Sequence, residues 1–130
     1  MNKTDIINKE FDYDWINNNT VHHNYLIKSV ENIIKIENTS NIELLDIGCG
    51  NGYLTQKISK FFKHSTGIDL SRTGIEKAQK LKSDKLEFKN IGLEEIINQG
   101  KKFKFITSFE VIEHQYLPDD FLNQINKILT

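Results

Sequence analysis

From Val21 to Ile36 the apolar residues Val21, Leu26, Val30, Ile33 and Ile34 recur close to helical spacing. Lys28, Glu31, Asn32 and Lys35 occupy the other face. The pattern predicts an amphipathic helix ahead of the main fold. The period then changes. "IELLDI" (42–47) is short, apolar and bounded by turn residues, as a buried strand is, and "YLTQKISKFF" (53–62) returns to helical spacing through Leu54, Ile58 and Phe61. "STGIDL" (65–70) predicts a second strand, and Ser71 is placed to cap a helix with Ile75, Ala78 and Leu81 inward. "KLEFKN" (85–90) predicts a third strand, "LEEIIN" (93–98) a short helix, and Gly100 its stop. "KFKFITSF" (102–109), rich in aromatic and β-branched residues, predicts a fourth strand. A last helix is opened by Pro118, with Asp119 and Asp120 in its first turn and Phe121, Leu122, Ile125 and Leu129 inward.

Strands alternating with helices imply a parallel sheet covered on both faces, an α/β doubly wound architecture. No internal repeat or Pro/Gly-rich linker divides the 130 residues, and Pro118 is the one proline. The expected organisation is a helical cap over residues 1–40 and a sheet core over 41–130. Common doubly wound sheets use five or six strands. The chain is therefore expected to be truncated after its fourth strand and the following helix.

Composition narrows the partners. Seventeen basic against 18 acidic side chains leave a formal charge of -1, which gives no general field for a nucleic-acid backbone or an anionic membrane. No apolar run approaches the ~20 residues of a membrane span. With a single cysteine, Cys49, and no signal-type apolar segment at the start, the expected compartment is the cytoplasm. Composition leaves the oligomeric state undetermined.

The chemistry concentrates at the end of the first strand, where "LLDIGCGNGY" (44–53) places Gly48, Gly50 and Gly52 at alternate positions. In open α/β sheets ligands bind beyond the carboxyl ends of the strands, and glycine there permits close backbone approach. The dinucleotide fingerprint G-x-G-x-x-G is not met, because Tyr53 stands where its third glycine belongs. Asp46 adds a carboxylate aimed at the same place, unfavourable for a pyrophosphate and favourable for a positively charged ligand. Asp69 ends the second strand, where one carboxylate has two acceptor oxygens for the two hydroxyls of a ribose. For the loop alone, the lesser alternative is a tight turn at Asn51 and Gly52 with Asp46 and Asp69 capping helix ends. Strand, loop, helix and Asp69 together read as half of a nucleoside site.

These residues resemble a known family. "LLDIGCGNG" is similar to the first signature of class I S-adenosylmethionine-dependent methyltransferases, "GIDLS" to the second, and "ITSFEVIEH" to the fourth-strand signature of the branch containing ubiquinone-biosynthesis O-methyltransferases. The resemblance covers residues 42–130 and implies a Rossmann-like fold with S-adenosyl-L-methionine as cofactor. It further implies that Gly48, Cys49 and Gly50 line the methionine part of the cofactor, with Asp46 near its ammonium end. The cofactor's carboxylate would meet amides at the start of the next helix. Asp69 would hold the ribose diol, Leu70 would pack on the adenine, and Glu110 would sit beside the methionine moiety and the acceptor. The family often has an acid after the third strand to receive the adenine amino group. Gly92 of "NIGLEEI" takes that position here, which transfers the contact to backbone groups of Gly92 and Leu93 or lowers cofactor affinity.

Glu110, Glu113 and His114 would share one face of a helical turn. Some relatives with E-x-x-E-H hold a divalent metal there with a further ligand. Three ligands fall short of that set, so no metal is assigned, and the plainer role of Glu113 and His114 is hydrogen bonding around the site. His114 is the candidate general base, since an ordinary imidazole titrates near ~6.5. His22 and His23 are neighbours in the first helix and cannot both face inward; Tyr13 and Trp15 read as packing residues of the cap. The function implied is methyl transfer to a small-molecule acceptor, at a hydroxyl oxygen. The alternative is a methyltransferase-like cofactor-binding fragment that is non-catalytic or depends on a partner.

Overall fold

The structure, a computed structural model, describes residues 21–109 and 111–130. Helix α1 (Val21–Glu37) leads into β1 (Glu43–Ile47), α2 (Tyr53–Ser59), β2 (His64–Ile68), α3 (Arg72–Ala78) with a 3-10 turn at Gln79–Leu81, β3 (Leu86–Lys89), α4 (Leu93–Asn98), β4 (Phe105–Thr107), a 3-10 turn at Ile112–His114, and α5 (Pro118–Ile128). The four strands form one sheet in the order β3-β2-β1-β4, and every pairing is parallel. The chain winds outward from β1 to β3, then crosses to the other side of β1 for β4. The gap between the carboxyl ends of β1 and β4 is thus the point at which the winding reverses, where such sheets bind ligands.

Strand parity assigns the faces. Leu44, Asp46, Ser65, Gly67, Leu86, Phe88, Phe105 and Thr107 share one side through the register Leu44↔Ser65, Asp46↔Gly67, Ser65↔Leu86 and Asp46↔Thr107. On that side Leu44 packs with Ile34 of α1, Ile58 of α2 and Phe62, while Leu86 and Phe88 pack with Ile75 and Ala78 of α3. The opposite side carries Leu45, Ile47 and Ile68 against Leu93 and Ile96 of α4 and Phe121 and Ile128 of α5. Both faces are covered by helices, as the alternation of elements implied. Ser71 caps α3 as expected, its Oγ accepting from the Gly74 N–H at 3.1 Å, and Gly100 closes α4 at φ +69°.

Two patterns resolve differently from the sequence reading. In α5 the buried stripe is Phe121 and Ile128 with Ile125 half-buried between them, the i, i+4, i+7 set. Leu122 lies one step round the helix and is 50% exposed. Leu129 has already left the helix, and pairs in a single parallel bridge with Phe103. That bridge also shortens the fourth strand. The Phe103 N–H donates to Ile128 O at 2.8 Å and its carbonyl accepts from the Thr130 N–H at 3.0 Å, so regular pairing with β1 is confined to Phe105–Thr107. In α1 the inward positions are Val30 and Ile34, whereas Ile33 is exposed.

Ile34, 2% exposed, fastens α1 to the sheet. Ile34→Ala is expected to cost about 2–4 kcal/mol, since the cavity would open between Leu44, Ile58 and Phe62. Urea unfolding measures it. A loss below about 1 kcal/mol would mean that α1 is not part of the cooperative unit.

Candidate functional site

The glycine loop follows β1 directly. Backbone N–H groups of Gly48 and Cys49 both donate to Ile68 O, at 2.8 and 3.0 Å, which ties the loop to the end of β2. Gly48 has φ +75°, and a Cβ on it would collide with the Val111 side chain, so the segment after β4 leans directly onto the loop. The Ser108 Oγ, donating to Ile47 O at 3.1 Å, closes the same seam. The winding reversal is therefore a contact between two loops, with glycine at the point of closest approach.

Asp69 organises the other side. Its Oδ2 accepts from the Gly50 N–H at 2.8 Å and its Oδ1 from the Ser71 N–H at 2.7 Å. Each carboxylate oxygen keeps capacity for a further bond, so two acceptors stand at fixed separation at the end of β2. Next to them Leu70 is 60% exposed, unusual for a leucine beside a core strand, and Gly92 lies against it: a Cβ there would come 3.3 Å from Leu70 Cδ2. The Asn90 Nδ2 donates to Asp69 O at 2.9 Å and holds the β2 and β3 ends together. A paired acceptor, an exposed aliphatic side chain and a side-chain-free position beside it form a set that fits a ribose and a flat base.

Asp46 is placed differently from the other candidates. Strand parity turns it beneath α2, where it is 1% exposed. Oδ2 accepts from the Thr55 hydroxyl at 2.6 Å and Oδ1 from the Thr107 hydroxyl at 2.8 Å, so the carboxylate joins α2, β1 and β4 under the loop. It caps no helix. Burial pushes its pKa up to about 6; the Thr55 and Thr107 hydroxyls pull it back, and the nearby Asp69 charge raises it further. Cys49 is buried, and burial first, then the charges of Asp46 and Asp69, push its thiol far above the ordinary range. That thiol is a packing group rather than a nucleophile. Thr55 and Thr107 were missed in the sequence; the available signal was a polar residue at an inward position of α2 and another at the end of β4.

The sign of the Asp46 contribution follows from its raised pKa. Stability it lends is fully present below its ordinary value near ~3.9 and is lost as pH rises through about 6. Asp46→Asn keeps one acceptor and one donor for the two hydroxyls and does not titrate. The unfolding free energy of the parent, relative to this variant, is expected to fall by about 2–3 kcal/mol between pH 4 and pH 7.5. Chemical denaturation of both proteins across that range is the check, and a constant difference would contradict it.

His114 ends the 3-10 turn after β4, more than half exposed, with Nε2 4.0 Å from Glu113 Oε1. Ile112, Tyr116 and Leu117 around it are also exposed. Glu110, Tyr13 and Trp15 lie outside the described residues, as do the side chains of His22 and His23. Among the described residues no group of three or more His, Cys, Asp or Glu side chains is gathered to hold a metal ion. Among them, too, no helix is long and apolar enough to cross a membrane.

A doubly wound parallel sheet, a loop of alternating glycines after β1 and an acid at the end of β2 define the class I S-adenosylmethionine-dependent methyltransferases. A family model described as "Methyltransferase domain" matches residues 20–130, and the chain belongs to that family. The ubiquinone biosynthesis O-methyltransferase of Pelagibacter ubique is 32% identical over 120 residues, covering 87% of this chain and 50% of that protein. The mitochondrial ubiquinone biosynthesis O-methyltransferase of Candida albicans is 34% identical over 96 residues, covering 68% of this chain and 29% of its own length. The chain thus spans half or less of these two relatives. Among solved structures, magnesium protoporphyrin IX methyltransferase from Synechocystis PCC 6803 with bound SAM superposes with a TM-score of 0.75 at 16% identity, over 99% of this chain and 73% of that one. The plantazolicin methyltransferase BpumL in complex with SAH gives 0.67 at 24% identity, over 80% and 41%. At those identities the two structures speak to the fold alone.

Proposed function

We propose that this chain carries the cofactor half of a methyltransferase that moves a methyl group from S-adenosylmethionine to a hydroxyl oxygen of a small molecule. The observation that carries the reading is the carboxylate of Asp69, fixed between the Gly50 and Ser71 amides beside exposed Leu70 and bare Gly92. Oxygen as the acceptor atom is supported by the names of the relatives, which are O-methyltransferases. When bound, S-adenosylmethionine supplies a methyl group already activated by a positively charged sulfur. The protein's share is alignment, exclusion of water and removal of the acceptor's proton. In this reading Asp69 holds the ribose diol, Leu70 and Gly92 border the adenine, and Gly48, Cys49 and Gly50 offer backbone to the methionine part. His114 takes the acceptor's proton, and Glu110 adjoins the acceptor. Residues 1–40, including α1, would form the cap and 41–130 the core.

Isothermal calorimetry with S-adenosylmethionine and reduced nicotinamide dinucleotide is the test, followed by labelled-methyl transfer to a panel of hydroxylated small molecules. Saturable one-to-one binding of the first ligand only is expected. Preference for the dinucleotide would sink the reading. His114→Gln is expected to lower transfer to a hydroxyl acceptor about 100-fold or more at neutral pH with little change in cofactor affinity.

A further inference from the structure

At the amino ends of the strands, away from the glycine loop, lies an open cleft of about 600 Å³, a volume typical of small-molecule sites. Four lysines line it, each from a different segment: Lys35 in the last turn of α1, Lys60 at the end of α2, Lys63 just before β2 and Lys85 just before β3. No acid is among its walls, although the chain carries a formal charge of -1. Glu37, Glu43 and Asp84, sequence neighbours of the walls, are exposed and lie outside the lining. Hydrogen bonds fix these segments against one another. The Lys63 N–H donates to Ile42 O at 3.0 Å, the Ser65 N–H to Lys85 O at 2.8 Å, and the Thr39 Oγ1 to Phe61 O at 2.7 Å. Lys63 and Lys85 thus stand at the starts of adjacent strands, about 4.8 Å apart in the direction of pairing.

Ordinary lysine roles account for only part of the set. Lys35 and Lys60 stand at helix C-termini, where a cation is favoured, and the Lys60 Nζ lies 5.1 Å from the centroid of the Phe61 ring. Lys63 and Lys85 belong to strand starts instead. The carbonyls at the end of α2 already have donors: Ile58 O accepts from the Lys60 and Phe61 amides, Ser59 O from the Phe62 amide and Phe61 O from Thr39. Among the described residues, the ammonium groups of Lys35, Lys63 and Lys85 make neither an ion pair nor a hydrogen bond.

We propose that this cleft is a second binding site, for a small phosphorylated molecule. Cations gathered in one cleft repel one another, and a ligand with two or more negative charges turns that repulsion into attraction. Phosphate concentrates such charge on one centre with several acceptor oxygens, and each lysine brings three donors to it as a point charge. Asn38, turned to φ +52° after α1, and Ser40 add an amide and a hydroxyl to the polar wall, and half-buried Phe61 offers an apolar one to an organic portion. The site is separate from the crevice at Asp69, because the five residues of β1 place about 15 Å between the two ends of the sheet. Its occupant bridges the end of α1 to the starts of β2 and β3. Binding there fastens α1 to the sheet from the side opposite the glycine loop, and the proposal does not rest on the cofactor reading.

Calorimetry and urea unfolding with tripolyphosphate and with 1-naphthyl phosphate, at constant ionic strength and with sulfate as the comparison anion, test this. One-to-one binding of at least one probe with a Kd below about 1 mM is expected, together with a rise in the urea midpoint at saturation. Tighter binding of tripolyphosphate assigns the cleft to a polyphosphate, and tighter binding of naphthyl phosphate to a phosphorylated aromatic molecule. The double variant Lys63→Gln/Lys85→Gln is expected to weaken the bound probe about tenfold, with its urea midpoint in the absence of probe close to that of the parent. Lys77→Gln/Lys80→Gln removes the same charge from exposed positions outside the cleft and is expected to change probe affinity less than about twofold. Absence of saturable binding, sulfate binding as tight as either probe, or equal weakening by the two double variants overturns the proposal. S-adenosylmethionine affinity, measured in the same Lys63→Gln/Lys85→Gln protein, is expected to match the parent's, so failure here leaves the methyltransferase reading standing.

Discussion

Asp69→Ala is expected to weaken S-adenosylmethionine binding by at least about 100-fold and to lower stability by about 1–3 kcal/mol. The two effects have separate origins. Hydrogen bonds to a charged group contribute about 1.5–3 kcal/mol each, so losing the two proposed ribose contacts would remove about 3 kcal/mol or more of binding free energy. In the unliganded protein the same side chain accepts from the Gly50 and Ser71 amides, and its removal strands two donors at the edge of the loop. Asp69→Asn is informative because it is isosteric. Both existing partners are N–H donors, so whichever oxygen becomes an amide NH2 faces a donor. The variant should therefore lose most of the affinity despite its shape. Calorimetry and urea unfolding on the two variants give the two numbers. An alanine variant that binds as tightly as the parent would remove Asp69 from the site.

The second large effect is at Gly52, the residue before α2. It sits at φ +80°, and a Cβ there would lie 2.7 Å from the Phe88 ring and 2.9 Å from Ala78 Cβ. Gly52→Ala is expected to destabilise the protein by about 2–4 kcal/mol, from about 1–2 for the left-handed backbone and the remainder from the forced shift of Phe88 or of the helix. Gly100 supplies the control. Its φ is +69°, but nothing lies within 4 Å of a Cβ built on it, so Gly100→Ala should cost only the conformational part, about 1 kcal/mol. Equal losses in the two variants would show that the loop has room to adjust and that the contact with Phe88 is soft.

The parts of this fold visible in the sequence were those set by short-range rules. The change of hydrophobic period marks each strand and helix, Ser71 announces α3, and the glycines with Asp69 mark the crevice proposed as the nucleoside site. What the sequence concealed was set by contacts between distant segments. Nothing local distinguishes Leu122, which faces solvent, from Phe121, which is buried, until α4 is known to lie against the helix. The fourth strand looked eight residues long, but Phe103 is committed to Leu129 rather than to β1. Thr55 and Thr107 carry no motif at all. Their role exists only because Asp46 faces α2 and because β4 returns to the side of β1 away from β2.

That return has a kinetic consequence. The β2–β3 contact Thr66–Glu87 closes a loop of 21 residues, whereas the Thr107–Asp46 and Ser108–Ile47 bonds that seal the crevice each span 61. Loop-closure entropy grows with the logarithm of length, so the wider closure costs about 1 kcal/mol more before any contact rewards it. Chains rich in such distant pairings fold more slowly. The β1–β2–β3 half can therefore assemble while β4 is still undocked, and the half-site at Asp69 precedes the seam at Gly48 and Val111. A ligand reaching across both halves would act as a clasp on the slowest step, holding the last strand against the first.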